Sequence, residues 1–323
     1  MYKTIVRRLL ILIPQLFVIS LLVFILAWFM PGDALTGLTA DPTISPDRLA
    51  YLRDRYGLND PWYRQYVRWL SGIILRGDFG FSIPHARPVM DVIGERIANT
   101  FRLAIMVTFL TYLIGVPLGI IAGRYHGKPI DKAICVYTYI ALAMPTVVLA
   151  LVNLLIFGFR LGWVPVMGSV DIAVAGGPPL AYWLSRLHHL ILPAITATLL
   201  STIGIVQYLR SEIIEYKVSD FVTTARSKGV PPNKIYSRHI FRNALIPMVS
   251  DIGFVIVGLV SGFIFIERIF SFPGMGLLFL DSIMNRDYPV VIALITVTGA
   301  LIAVGGLLSD IILTIVDPRI RIK

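Results

Sequence analysis

Charge-free apolar stretches about as long as a bilayer is thick constrain this chain more than any other feature. A helix needs about 20 apolar residues to cross the hydrocarbon layer. The sequence supplies six apolar runs of that length, near Leu9–Met30, Leu103–Gly123, Ala133–Phe159, Leu190–Tyr208, Ala244–Ile266 and Val290–Ser309, five of them charge-free and the fifth in chain order carrying Asp251 close to its start. In lipid every backbone polar group needs an internal partner, so these runs are predicted as helices. The expected fold is therefore all-α, a polytopic transmembrane helix bundle of six spans. Composition agrees, since 56% of the 323 residues are hydrophobic and 15% charged, more apolar surface than one soluble core of this length hides. Pro14, Pro117, Pro145 and Pro193 fall in or near the spans. A membrane bundle tolerates them because neighbouring helices satisfy the freed backbone groups.

Six crossings return both termini to one side. Lys3, Lys128, Lys132, Lys217, Lys228, Lys234 and Lys323 all fall in the terminal segments or in the second and fourth connections. The positive-inside bias puts those segments in the cytoplasm, and nearly all of the net charge of +10 falls there. The long outer loop, 31–100, balances its arginines with acids and weighs little in that rule. Lys3, Arg7 and Arg8 ahead of the first span suggest a signal peptide. Its apolar core is too long for one and no small-x-small cleavage site follows, so a retained helix is expected.

The chain thus divides into a first helix (1–30), an extracytoplasmic loop with amphipathic helices (31–100), a core of five spans (101–316) containing the cytoplasmic loop 209–245, and a tail (317–323). In the outer loop, Ser45-Pro46 and Asp60-Pro61 read as helix starts, a capping side chain followed by proline. After the second, Trp62, Tyr66, Trp69, Leu70 and Ile73 recur at helical spacing, which suits a membrane interface. Two readings stand: a lid packed on the bundle, or a docking surface for an external partner. In loop 209–245, Ser219 is placed to cap a helix Asp220–Lys228, ended by Gly229 and Pro231-Pro232. Asp220 at its start and Lys228 at its end suit the helix dipole. Phe221, Val222 and Ala225 put apolar groups near one side, as in a helix laid in another protein's groove or in an ordinary solvated loop helix.

Basic residues lie between apolar spans rather than interleaved with aromatics on one face, which argues against nucleic acid as a partner. Cys135 is the single cysteine, in an apolar stretch, with packing as its expected role. No P-loop is present, because Gly127-Lys128 is followed by Pro129 and lacks the upstream glycines that cradle phosphate. An intramembrane hydrolase would need a base near a nucleophile such as Ser261. His85, His126, His188, His189 and His239 all lie in loops or at span edges. Adjacent His188 and His189 lack the spacing that aims two rings at one metal. A secondary transporter would show internal repeats and charges at mid-membrane, and neither is evident.

The run Asp220-Phe221-Val222-Thr223-Thr224-Ala225-Arg226-Ser227-Lys228-Gly229, followed by Arg238-His239-Ile240-Phe241-Arg242-Asn243-Ala244-Leu245-Ile246-Pro247, resembles the cytoplasmic coupling loop of peptide-type ABC importer permeases. Arg76-Gly77-Asp78-Phe79-Gly80-Phe81-Ser82, Phe272-Pro273-Gly274-Met275-Gly276 and Arg286-Asp287-Tyr288-Pro289 are similar to that family in the same order. The retained first helix and long outer loop look like its B-type subunit. Thr223, Thr224 and Ala225 stand where the general importer motif has Glu-Ala-Ala. The resemblance implies a type I importer permease core in the bacterial inner membrane and a homologous second permease that completes the path. It implies two ATPase subunits, which bind the ATP and Mg that this chain does not, and an extracytoplasmic peptide-binding protein. Asp220–Gly229 would then sit in an ATPase cleft.

That loop needs a root, and Arg238, His239, Arg242 and Asn243, with Pro247 behind them, offer donors near the fifth span. His239 reads as structural rather than as a proton switch. Asp251 is the one acid inside a span, where pairing with a basic neighbour such as Arg242 is expected ahead of substrate contact. Glu267, Phe272, Pro273, Gly274, Gly276 and Asp287 are candidates for an outer gate or docking rim, against an ordinary Pro-Gly turn. Short peptides are the expected substrate, with nickel chelates or glutathione as the alternatives.

Overall fold

The computed structural model describes residues 2–30, 35, 45–245, 248 and 263–316, with the backbone alone at 2–9, 310 and 312–316. The first helix, α1 (Tyr2–Phe29), leads to α2 (Pro46–Tyr56) and α3 (Trp62–Arg76). A two-residue ribbon, β1 (Phe81–Ser82) against β2 (Arg87–Pro88), precedes α4 (Val89–Arg124). Then come α5 (Pro129–Ala143), α6 (Thr146–Asn153) continuing as a π-helix to Arg160, and α7 (Pro179–Tyr216). The chain closes with α8 (Asp220–Ser227), α9 (Ile264–Ile269), α10 (Met275–Met284) and α11 (Tyr288–Val316).

Among the described residues, four helices are long and apolar enough to cross a membrane: Leu10–Phe29, Val89–Arg124, Pro179–Tyr216 and Tyr288–Ser309. Two of them run well past the apolar cores read from sequence, so α4 and α7 carry helix out into the flanking loops. The expected third span, Ala133–Phe159, is not one straight helix. Its halves, α5 and α6, meet at 103°. Pro145 lacks an N–H, and the residue before a proline avoids the helical region; Met144 accordingly sits at φ −86°, ψ 120°. Pro14, Pro117 and Pro193 stay within unbroken helices. The expected fifth span, Ala244–Ile266, falls mainly outside the described residues.

Among the described residues, the most extensive helix contact is α4 on α7. Gly115, Gly119 and Gly123 recur every fourth residue and form a bare stripe along α4. A Cβ at Gly119 would lie 2.8 Å from the Leu209 Cβ, and one at Gly123 2.7 Å from the Ile213 Cβ. Glycine at these positions lets the two backbones approach, as small-residue stripes do in lipid. Apolar side chains on the outside, such as Ile13, Phe109 and Leu142, are more than half exposed, as a lipid-facing surface requires.

In the loop between α1 and α4, Ser45 caps α2 as expected, accepting from the Arg48 N–H at 3.3 Å. Asp60 does not cap α3. It pairs with Arg68 one helical face away, and Pro61 takes the cap position. The aromatic face of α3 is the packed lid rather than a free surface: Tyr66 is 5% exposed in a cluster with Phe24, Ala27 and Ile292, and Trp69 and Leu70 pack against it. The Tyr66 hydroxyl also meets Ser20 Oγ at 2.9 Å.

Candidate functional site

The helix singled out in loop 209–245 forms, one residue shorter than expected. Lys228 takes the C-cap position of α8. Ser219 starts the helix with its backbone carbonyl, which accepts from Val222 and Thr223. Its hydroxyl turns back to donate to the Tyr216 carbonyl at 2.6 Å, so the expected side-chain cap is absent. At the other end Gly229 has φ +73°, its N–H donates to the Arg226 carbonyl, and the Val230 N–H donates to that of Ala225 at 3.1 Å. This Schellman closure needs a left-handed residue, hence glycine.

Val222 and Ala225, three apart and therefore on one face, are seated in an apolar cluster with Leu209, Ile213, Ile235, Ile240 and Ala244. Asp220, Phe221, Thr223, Thr224, Arg226, Ser227, Lys228 and Gly229 are exposed. Phe221 does not share the face of Val222 and Ala225. Successive helix residues are about 100° apart, and its ring lies 5.9 Å from that of Tyr216, 38% exposed. The helix is thus anchored by two small side chains and presents one aromatic side chain among polar ones.

The expected root residues contribute less than their chemistry suggested. Asn243 Nδ2 donates to the His239 carbonyl at 2.9 Å, within the turn that follows the π-helix Ile235–Ile240. Arg238 and Arg242 are exposed and, among the described residues, form no ion pair. Pro247 and Asp251 lie outside the described residues, and with them the expected Arg242–Asp251 pair.

The ties that hold the loop come from residues the sequence did not single out. Arg210, near the end of α7, grips Asp131 in the first turn of α5 through Nε at 2.6 Å and Nη2 at 3.0 Å. Asp131 is 2% exposed and also accepts from the Gly127 N–H at 2.8 Å and lies 3.1 Å from His126 Nδ1. The lone thiol, Cys135, sits 3.5 Å from its other oxygen. A two-pronged guanidinium–carboxylate pair fixes angle as well as distance. Nearby, Arg124 donates to Asn233 Oδ1 at 2.7 Å and stacks over Tyr236, while Lys217 Nζ donates to the Arg124 carbonyl at 3.1 Å. The ends of α4, α5 and α7 and both flanks of α8 therefore form one braced unit.

At the opposite end, the residues named as a gate separate into two constructions. Glu267, 0% exposed, turns its carboxylate under the start of α10. It accepts from Thr100 Oγ1 at 2.7 Å and from the Leu277 N–H at 2.9 Å. Thr100 Oγ1 in turn accepts from the Met275 N–H, and Asn99 Nδ2 donates to the Pro273 carbonyl. The two glycines leave room for that carboxylate: a Cβ at Gly274 would lie 2.1 Å from Glu267 Oε1, and one at Gly276 2.8 Å from the Ile264 Cα. Phe272 is buried alongside. The Pro-Gly sequence is thus more than a turn; it is the rim of a carboxylate socket at a helix N-terminus, where negative charge is favoured.

Asp287 belongs elsewhere. Ser82 Oγ donates to its Oδ2 at 2.5 Å, and His85 Nδ1 lies 3.5 Å from the same oxygen. Gly80, at φ +101°, makes the bend that delivers Ser82, and its N–H donates to Asp78 Oδ1 at 2.8 Å. Two separated motifs therefore clasp one another across the bundle. Ser82 Oγ also lies 3.0 Å from His85 Nδ1. Its hydroxyl donates to the carboxylate, so the ring nitrogen facing it is not placed to take its proton, and Ser82 is 0% exposed to any substrate. Burial pushes the Asp287 carboxyl up, opposed by the hydrogen bonds from Ser82 and His85. The folded state then holds this proton more tightly than the unfolded chain. Stability should decline as pH rises above about 4, where an unfolded aspartate ionises, until the folded group has ionised too. The expected result is a transition temperature that falls over this range, with a smaller fall in Asp287→Asn, measured by thermal unfolding in detergent.

The fold defines a multi-pass helical membrane protein. The chain belongs to the family of binding-protein-dependent transport system inner membrane components, which it matches over residues 115–322, with the N-terminal region of such components matched over residues 1–104. It is 37% identical over 318 residues to the oligopeptide transport system permease protein AppB of Bacillus subtilis (strain 168), covering 98% of each chain. It is 31% identical over 323 residues to the glutathione transport system permease protein GsiC of Escherichia coli (strain K12), covering 100% of each. Among solved structures, a chain of the inward-facing MetNI methionine ABC transporter superposes with a TM-score of 0.56 at 14% identity, over 71% of this chain and 97% of that one. That likeness establishes a shared fold.

Proposed function

We propose that this chain is a transmembrane permease subunit of an ATP-driven importer for short peptides. In this reading it lies in the bacterial inner membrane with both termini and loop 209–245 in the cytoplasm, and forms half of the translocation path with a homologous second permease. Two ATPase subunits bind ATP and Mg and perform the hydrolysis; this chain is non-catalytic. An extracytoplasmic peptide-binding protein delivers the substrate to the face carrying α2, α3 and the Glu267 socket. Full-length similarity to an oligopeptide permease supports peptides, and similarity to a glutathione permease favours a small peptide thiol as the second reading.

The observation that carries the proposal is the outward face of α8. Phe221, Thr223, Thr224, Arg226, Ser227 and Lys228 are free for a partner while Val222 and Ala225 hold the helix to its own bundle. A short helix fixed in this way moves with the spans to which it is rooted, so displacement at a partner's cleft becomes rigid-body motion of α4, α5 and α7. Aromatic side chains dominate such contacts. Phe221→Glu should leave the subunit inserted at normal yield and lower co-purification of the ATPases by about tenfold or more. Undiminished co-purification would sink the assignment. A Ser227→Cys variant should react with a membrane-impermeant maleimide only from the cytoplasmic side. Uptake of labelled dipeptides, pentapeptides and glutathione by cells with and without the gene separates the substrate readings.

A further inference from the structure

One cavity is left unused by the transport reading. Its volume is about 440 Å³, inside the range of about 300–1,000 Å³ typical of small-molecule sites. It lies where α1 ends and α11 begins, the level at which both spanning helices reach the membrane surface, with α3 laid across them. Phe24, Trp28, Phe81 and Ile292 make its walls apolar. Two polar groups of the lining are uncommitted. Trp69 Nε1 is buried with no hydrogen-bond partner, and Arg76 is exposed with no carboxylate paired to it among the described residues. The other charged lining groups are engaged, Arg68 with Asp60 and Asp78 with the Gly80 N–H.

An apolar slot with an exposed cation at its mouth and an unpartnered N–H donor buried in its wall is complementary to an anionic amphiphile. It is poorly matched to a zwitterionic headgroup, whose ammonium would meet Arg76. The surrounding bilayer supplies one anionic amphiphile at this depth without diffusion from solution. We propose that the cavity binds an anionic phospholipid, its phosphate held by Arg76 and Trp69 Nε1 and one acyl chain lying between α1, α3 and α11. Bound there, the lipid fastens the α3 lid to the first and last spans.

The test uses the full chain in proteoliposomes doped with phosphatidylglycerol or phosphatidylcholine carrying a diazirine on the acyl chain. Peptides containing Phe24–Trp28 and Trp69–Arg76 should be labelled about tenfold more from phosphatidylglycerol, the ratio that one charge-assisted hydrogen bond supplies. The lipid-facing stretch Leu10–Phe17 of α1 should be labelled equally by both and serves as the internal reference. Arg76→Gln and Trp69→Phe should each bring the cavity ratio close to parity while the reference is unchanged. Equal labelling by both lipids in the unmodified protein would overturn the proposal, as would reference labelling without cavity adducts. A preference that survives both substitutions would also overturn it. Should a variant fold poorly, the ratio in the unmodified protein decides alone.

Discussion

Asp131→Ala is expected to be the most damaging single change in the chain, lowering stability by about 3–5 kcal/mol and abolishing uptake. Removing the carboxylate strands the Arg210 guanidinium, which is 21% exposed in the native protein, and leaves the Gly127 N–H without its acceptor. The informative comparison is the double change Asp131→Leu with Arg210→Leu. Replacing both partners of a buried pair by apolar groups is commonly neutral or stabilising. The double variant should therefore recover most of the thermal stability lost by Asp131→Ala. Transport should remain impaired, because leucines pack without fixing the angle between α5 and α7. Thermal unfolding in detergent and substrate-stimulated ATPase activity of the assembled complex separate the two effects. Full activity in the double variant would show that the pair only stabilises.

Glu267→Ala is expected to cost about 1–3 kcal/mol for each buried donor it strands, here Thr100 Oγ1 and the Leu277 N–H. Gly274→Ala should be damaging for the converse reason. Its new methyl would lie 2.1 Å from Oε1 and 2.3 Å from Cδ of Glu267, and overpacking a closed site costs about 1–3 kcal/mol. The nearest atoms met by that methyl all belong to Glu267. In a Glu267→Ala background, Gly274→Ala should therefore cost far less than alone. A double-mutant cycle measured by thermal unfolding should give a large coupling energy. Additive costs would mean that glycine at 274 serves some purpose other than admitting the carboxylate.

The spanning helices were legible because a run of apolar residues of bilayer length has few other outcomes in lipid. The bend at Met144-Pro145 was not. Pro117 and Pro193 are the same residue type and remain inside unbroken helices, so a proline in an apolar run does not by itself announce a break. The α8 helix was legible through its terminal glycine, and Val222 and Ala225 were placed on the face that buries, but Phe221 was wrongly grouped with them. Asp131 escaped notice because an acid just after Pro129 reads as an ordinary first-turn residue. Its partner is 79 residues away, a pairing that no local spacing announces. The Ser82–Asp287 clasp spans 205 residues and was hidden in the same way, although both of its motifs were noticed. The glycine stripe of α4, by contrast, stood in plain view as a repeat of four and went unused.

The seating of Val222 and Ala225 in their own subunit bears on biogenesis. Segments that acquire shape only on contact lose affinity to the work of ordering themselves. Here that ordering is complete within a single polypeptide, so in the proposed importer an ATPase would meet a finished shape and associate by docking two rigid bodies. Cells lacking the partner should therefore still display a folded, protease-resistant rod, and the order in which subunits are synthesised places no constraint on its formation.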